Sequence, residues 1–125
     1  MASDIATVEG CKMIVDETIK KFGKIDILIN NAANGTFSLI REESYIEYFD
    51  KETELVLKSA IRMTNLCSAH LIASKGCVVN ISSIASERPN SNISGYCISK
   101  AALDMFTKCA SFELSPHGVR VNSIQ

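Results

Sequence analysis

This 125-residue chain lacks several features that mark large classes of proteins. It has no tryptophan, and its six glycines are scattered instead of forming a phosphate-binding loop. Lys and Arg number 13 against 14 for Asp and Glu, so no excess of one charge would attract nucleic acid or an anionic membrane surface. No apolar run approaches the length of a membrane-spanning helix. We therefore expect neither a nucleic-acid partner nor a membrane partner, and we expect one small domain over residues 1–125.

The cysteine pattern argues against a disulfide framework and against a metal site. The five cysteines are odd in number and form no C-x-x-C pair, which predicts neither a disulfide framework nor a metal site. Most of them lie in periodic apolar segments, where cysteine behaves as a small hydrophobic residue. The first residues, MASD, lack the basic and apolar stretches of a signal peptide. A reducing, cytoplasmic location is the expectation from these features.

Helix-like and strand-like patterns alternate along the chain. Apolar residues at helical spacing predict three helices, over residues 8–22, 44–73 and 94–115. Short apolar runs predict three strands, over residues 25–29, 77–81 and from 119 onward. Whether the second predicted helix is broken near Asp50 stays open. The first strand has the pattern of a strand buried on both faces. This alternation is typical of a parallel sheet with right-handed crossovers.

The carboxyl ends of such strands are where ligands bind in this class of fold. Ser83 follows the second predicted strand, and Tyr96 and Lys100 lie near the start of the helix after it. A spacing of four residues puts the phenol and the ammonium on one helix face. A free phenol loses its proton only at about pH 10, and a neighbouring cation favours the ionised form. We therefore interpret Tyr96 and Lys100 as an acid/base pair, with Ser83 placed to hold a substrate oxygen.

Structural interpretations of the same residues stay open. Tyr96 and Lys100 could form a surface pair without chemistry, and Ser83 could only cap the turn after a strand. Asn30 and Asn31 could close the first strand as an ordinary turn. A Ser-His-Asp hydrolase is not indicated, because no G-x-S-x-G motif occurs.

Four motifs in register resemble those of the short-chain dehydrogenase/reductase family. Residues 24–33 (KIDILINNAA) resemble the family's strand that ends in Asn-Asn-Ala-Gly, and residues 76–83 (GCVVNISS) resemble the strand that delivers its catalytic serine. Residues 96–102 (YCISKAA) resemble its Tyr-x-x-x-Lys helix, and residues 118–124 (GVRVNSI) resemble the strand before its Pro-Gly turn. The resemblance covers nearly the whole chain.

The resemblance implies an α/β fold, namely part of a Rossmann-type, doubly wound parallel sheet that binds NAD or NADP. It implies an oxidoreductase that transfers hydride between the nicotinamide and a small alcohol or carbonyl substrate. It also implies a homo-oligomer that associates through the two long helices.

Residue roles follow from the same resemblance. Ser83 would hold the substrate oxygen, Tyr96 would give or take the proton, and Lys100 would favour the phenolate. The cofactor-binding residues that it implies are Asp4, Asn30, Ala32, Tyr96 and Lys100. Among these, Lys100 would bind the nicotinamide ribose and Asp4 would meet the adenine amino group.

Two departures from the family pattern raise a second hypothesis. No G-x-x-x-G-x-G motif occurs, and the resemblance places Met1 at the end of the family's third strand. The expected sheet therefore lacks the first two βα units and the C-terminal end, and its unpaired edge along residues 25–29 would favour aggregation. Val56 stands where the family places a catalytic asparagine, and valine has no hydrogen-bonding group for a proton relay. The alternative function is a non-catalytic fragment or interaction module that binds no cofactor on its own.

Overall fold

The computed structural model describes residues 3–125 and contains a parallel sheet whose strands alternate with helices. The main elements are α1 (Val8–Phe22), β1 (Ile27–Asn30), α2 (Tyr45–Thr53), α3 (Ser59–Ser74), β2 (Cys77–Ile81), α4 (Ser94–Leu114) and β3 (Arg120–Ile124). A π-helical turn, Glu54–Lys58, joins α2 to α3, and short 3-10 turns, Ile84–Ser86 and Ser115–His117, precede α4 and β3. The predicted alternation and the parallel strand order are confirmed.

Local chemistry sets both ends of α1 where the sequence predicts them. Thr7 Oγ1 accepts a hydrogen bond from Gly10 N at 3.0 Å, which satisfies one of the free N–H groups of the first turn. Gly23 ends the helix with φ at 74°, a left-handed conformation that glycine adopts without steric cost. Between these ends, Cys11 and Val15 are buried in the core.

The helices cover only one face of the sheet. The strand order is β1-β2-β3, so β1 is an edge of the described sheet and pairs with β2 alone. Leu28, Val78 and Val121 share one row of the register and are buried together with residues of α1 and α3. Ile27 and Ile29 point to the opposite face and are 61% and 60% exposed. The prediction that this strand is buried on both faces is wrong, because nothing among residues 3–125 covers the second face.

The second long helical segment contains an irregularity that the sequence pattern misplaces. α2 continues past Asp50 without a break, and the deviation comes later, where the N–H of Ser59 bonds to the carbonyl of Glu54 in a π turn. Such turns recur at functional sites, where they rotate the side chains that they carry. This one carries Val56, which is 2% exposed.

Neither a membrane-spanning helix nor a metal-binding cluster occurs within residues 3–125. No described helix combines the length and the apolar character needed to cross a bilayer, and no three His, Cys, Asp or Glu side chains are placed to hold a metal ion. All five cysteines are free thiols. Burial raises the pKa of the Cys67 thiol to about 11, which keeps it protonated and unreactive at neutral pH.

Candidate active site

Tyr96 and Lys100 lie on one side of α4, as their spacing predicts. The helix begins at Ser94, so the phenol belongs to its first turn and the ammonium to its second. Lys100 Nζ is 5.5 Å from the centroid of the Tyr96 ring. Tyr96 itself is half-buried. This geometry places a positive charge beside a phenol ring that is not fully enclosed by the described residues.

The ammonium of Lys100 is enclosed by protein. The residue is 2% exposed, and Nζ donates a hydrogen bond of 2.5 Å to the carbonyl oxygen of Ile81, the last residue of β2. Burial lowers the pKa of Lys100, and the negative charge of Asp104 offsets part of that change. The bond to Ile81 therefore fixes the cation at the carboxyl end of the strand that leads to Ser83.

Ser83 begins the 3-10 turn that follows β2. Its Oγ accepts a hydrogen bond of 3.2 Å from Ala85 N, so the side chain does cap the turn, as one of the structural interpretations expects. Accepting this bond leaves the hydroxyl hydrogen free to be donated elsewhere. The turn packs against α4, which carries Tyr96. Capping the turn and holding a substrate oxygen are therefore compatible roles for the same hydroxyl.

A cavity of about 290 Å³ lies at the carboxyl end of β1 and brings several predicted residues together. Asn30, Ala32 and Lys100 line it, and Val56 lines it as well. Three of the five predicted cofactor-binding residues thus share one space with Val56, where the sequence resemblance implies an asparagine in the family. Ser83 and Tyr96 are not among the residues that line this cavity.

The side-chain amide of Asn30 ties the strands to one another and to the helices beneath. Its Nδ2 donates to Asn80 Oδ1 at 2.8 Å, and Asn80 Nδ2 donates to Thr107 Oγ1 on α4 at 2.8 Å. Asn80 is fully buried, so this chain of bonds satisfies polar groups that would be costly to leave unpaired. Neither Asn80 nor Thr107 is among the site residues that the sequence predicts. An asparagine inside an otherwise apolar strand is the signal that could have pointed to it.

Asp4 lies apart from the other predicted residues. Its carboxylate is exposed, and Oδ1 accepts a hydrogen bond of 2.9 Å from Ala6 N within its own turn. It lines a separate cavity of about 530 Å³ beside α2, while its neighbour Ile5 lines the cavity that contains Lys100. The chain therefore places Asp4 one residue away from that cavity rather than inside it.

Glu52 is a buried acid at the first turn of α4 that the sequence pattern does not single out. It is 5% exposed, and its Oε1 accepts a hydrogen bond of 2.7 Å from Thr36 N. Burial raises the pKa of Glu52, and the Thr36 N–H offsets only part of that rise. Its other oxygen lies against Gly95, where a β-carbon would be 2.6 Å away. The carboxyl group therefore links the loop before α2 to the first turn of α4.

Comparison with known proteins decides the family. A model of the short chain dehydrogenase family matches residues 1–125. The chain belongs to this family. Human L-xylulose reductase is 38% identical over 111 residues, which are 87% of this chain and 45% of that enzyme.

Solved structures agree with this assignment. A short-chain dehydrogenase/reductase of unknown function from Caenorhabditis elegans, solved with a cofactor, matches with a TM-score of 0.93 and 37% identity, covering 98% of this chain and 47% of that one. An NAD+-bound xylitol dehydrogenase matches with a TM-score of 0.92 and 29% identity, covering 100% of this chain and 48% of that one. This relative binds NAD+, whereas another solved relative, a metagenomic short-chain oxidoreductase, was solved in complex with NADP. The chain spans about half the length of the relatives it matches.

The described residues fit one end of a nicotinamide cofactor. Lys100 and Ala32 both line the cavity beside β1, and the Lys100 ammonium keeps hydrogens beyond its bond to Ile81 O that would suit ribose hydroxyls. The 125 residues contain no glycine-rich turn that could cradle a pyrophosphate. The chain therefore carries groups suited to the reacting end of the cofactor, and the phosphate-binding groups would have to come from other residues.

Proposed function

We propose that this chain forms the catalytic half of an NAD- or NADP-dependent dehydrogenase or reductase that interconverts an alcohol and a carbonyl compound. The observation that carries the proposal is the buried Lys100 ammonium beside the half-buried phenol of Tyr96. A nicotinamide cofactor, when bound, would supply or accept the hydride. The protein's part is to move one proton and to hold the substrate oxygen.

Each group has a distinct task in this proposal. Tyr96 gives its proton to the substrate oxygen in reduction and takes it back in oxidation. Lys100 stabilises the phenolate that remains, because a nearby positive charge favours the ionised form. Ser83 donates its free hydroxyl hydrogen to the same substrate oxygen, while Ala85 N keeps the side chain in place.

The substrate class that we propose is a polyhydroxylated alcohol or its ketone. A groove of about 380 Å³ opens beside the first residue of α4. Apart from Leu39 and Ile40, the residues that line it carry hydroxyl, amide or guanidinium groups: Ser38, Arg41, Asn90, Ser91, Asn92 and Ser94. Groups of this kind bind several substrate hydroxyls at once. A xylulose reductase and a xylitol dehydrogenase among the similar proteins support the same class.

A chimera tests the catalytic proposal. This chain would replace its matched part in human L-xylulose reductase, and oxidation of NADPH or NADH by L-xylulose would be followed by absorbance. Tyr96→Phe should lower kcat by about 100- to 10,000-fold. Tyr48→Phe removes an exposed phenol from α2 and should leave the rate unchanged. A Tyr96→Phe chimera as active as the parent would refute the role of the phenol.

The second candidate function is a non-catalytic interaction module, which the uncovered sheet face and Val56 favour. Titration of the purified 125-residue chain with NADH and NADPH, read by nicotinamide fluorescence, separates the two for the chain alone. A saturable signal supports cofactor binding without further residues. No signal at millimolar cofactor leaves the module as the function of the isolated chain.

A homo-oligomer through the long helices is also proposed. On α4, Ile98, Met105 and Phe112 recur every seventh residue and are exposed, so they form one apolar stripe. Phe112→Glu should lower the mass measured by light scattering if this stripe joins two copies. An unchanged mass would place the contact elsewhere or leave the chain monomeric.

A further inference from the structure

Asp104 lies on α4, one turn beyond Lys100, and its carboxylate faces the ends of β2 and β3. Gln125 Nε2 donates to Asp104 Oδ2 at 3.3 Å and to Ser86 Oγ at 3.0 Å. The groups around the carboxylate are the hydroxyls of Ser82, Ser86 and Ser123 and the amide of Gln125. Two parts of the chain that are distant from each other in sequence, the turn after β2 and the end of β3, therefore converge on one acid of α4.

The charge of Asp104 is stabilised in this position. Burial raises the pKa of its carboxyl, but the surrounding hydroxyls and amide together hold that pKa below its usual range. Ser82 Oγ and Asp104 Oδ1 are both buried and have no hydrogen bond of good geometry, although the Ser82 hydroxyl is near enough to lower the carboxyl's pKa.

Lys100 and Asp104 are four residues apart, a spacing that would suit an ion pair along a helix, but their side chains do not form one. The ion pairs found within residues 3–125 do not include this one. Lys100 Nζ bonds to the carbonyl of Ile81 instead. The polar groups around Asp104 are the serines after β2 and, at the end of β3, Ser123 and Gln125, of which Gln125 donates to Oδ2. Asp104 therefore makes its polar contacts with the turn after β2 and the end of β3, and it forms no ion pair with Lys100.

Two of the serines near Asp104, Ser82 and Ser86, lie on either side of the candidate catalytic Ser83 in the sequence. Ser82 comes directly before Ser83, and Ser86 ends the 3-10 turn that Ser83 begins. Tyr96, Lys100 and Asp104 follow one another at intervals of four residues along a single helix. One helix thus carries the phenol, the cation and an anchor for the turn that holds the third group.

We propose that Asp104 is a positioning residue that fixes the Ser83 turn against the helix of Tyr96. The anchoring itself depends only on the contacts described above. Its importance for catalysis rests on the function proposed for Ser83 and Tyr96. Without the carboxylate, the turn would be held to α4 by fewer polar contacts and would open more often.

Amide hydrogen exchange of the 125-residue chain, read by NMR, tests the anchoring without any assay of activity. Within the turn, Ser86 N bonds to Ser83 O at 2.9 Å, and Glu87 N and Arg88 N bond to Ile84 O. Asp104→Ala should speed exchange of these three amides about tenfold and leave Val78 in β2 unchanged. Asp104→Asn keeps an oxygen acceptor and should recover part of the protection. Glu113→Ala, an exposed change on the same helix, is the control.

Unchanged protection of the three amides in a folded Asp104→Ala chain would overturn the proposal. If that variant does not fold, Ser86→Ala should speed the same amides, and unchanged exchange there would also overturn it. In the chimera with L-xylulose reductase, Asp104→Asn should lower kcat about tenfold with little change in the KM of the cofactor. An inactive parent chimera would count against the proposed function alone, because the exchange experiment stands independently.

Discussion

Gly10 packs so closely against Asp4 that a β-carbon on the glycine would lie 1.9 Å from the main-chain carbonyl oxygen of the aspartate. The same carbonyl accepts hydrogen bonds from Thr7 N at 3.2 Å and from Thr7 Oγ1 at 2.8 Å. The first turn of α1 and the segment that carries the proposed adenine contact are therefore locked together through the backbone.

This contact predicts the effect of Gly10→Ala. Alanine is the better residue inside a helix by about 1 kcal/mol, but the clash involves backbone, which cannot rotate away as a side chain can. We expect the clash to dominate and to lower the free energy of unfolding by about 1–3 kcal/mol, measured by urea denaturation. Gly35→Ala meets no atom within 4 Å and should have almost no effect. Equal stabilities for the two variants would contradict the packing described here.

Glu52 predicts a specific dependence of stability on pH. Burial raises its folded-state pKa above the unfolded value, so the stability contributed by the protonated form is complete below the unfolded pKa and is lost as pH rises through the folded pKa. Glutamine cannot ionise and carries no such loss. Glu52→Gln should therefore gain stability relative to the parent as the pH rises from about 4, near the unfolded pKa of glutamate, through the higher folded pKa.

Thermal melting across that pH range checks the prediction. Glu113→Gln, on the exposed side of α4, should show no comparable trend. A difference between Glu52→Gln and the parent that stays constant with pH would mean that the carboxyl titrates normally in the folded chain.

We expect Val56→Asn to lower the stability of the chain and to raise its activity in the chimera. The valine side chain is buried and lines the cavity beside β1, which Lys100 also lines. The sequence resemblance implies an asparagine at this position in the family. Val56→Asn would bury an amide, with a cost of about 1–3 kcal/mol if its partners are incomplete. The same amide could complete a proton relay, so we expect kcat of the chimera to rise by about tenfold or more. Val56→Ala opens similar space without a polar group and should bring no gain, whereas equal gains in both variants would exclude the relay.

What the sequence could predict depended on how local the determining contact is. The shared face of Tyr96 and Lys100 follows from one turn of helix, and the end of α1 follows from a glycine at its last turn. The bond between Asn80 and Thr107 joins residues 27 positions apart and exists only once β2 and α4 are packed. An apolar strand pattern shows which side chains could be buried, but it does not show whether another element covers them. For this reason the pattern predicts that Ile27 and Ile29 are buried, whereas the structure exposes them.

The uncovered face of the sheet makes a final prediction, in which neighbouring residues have opposite outcomes. Ile29 points away from the helices and is 60% exposed, while Leu28 beside it is 8% exposed in the core. Ile29→Lys should raise the solubility of the chain, because a charge on an open edge strand opposes association, and should change its stability by only about 0.5 kcal/mol. Leu28→Lys should instead unfold the chain, because it buries an unpaired charge. Soluble yield, light scattering and circular dichroism of the two variants would distinguish the outcomes. Equal unfolding by both would contradict the exposure of Ile29 described here.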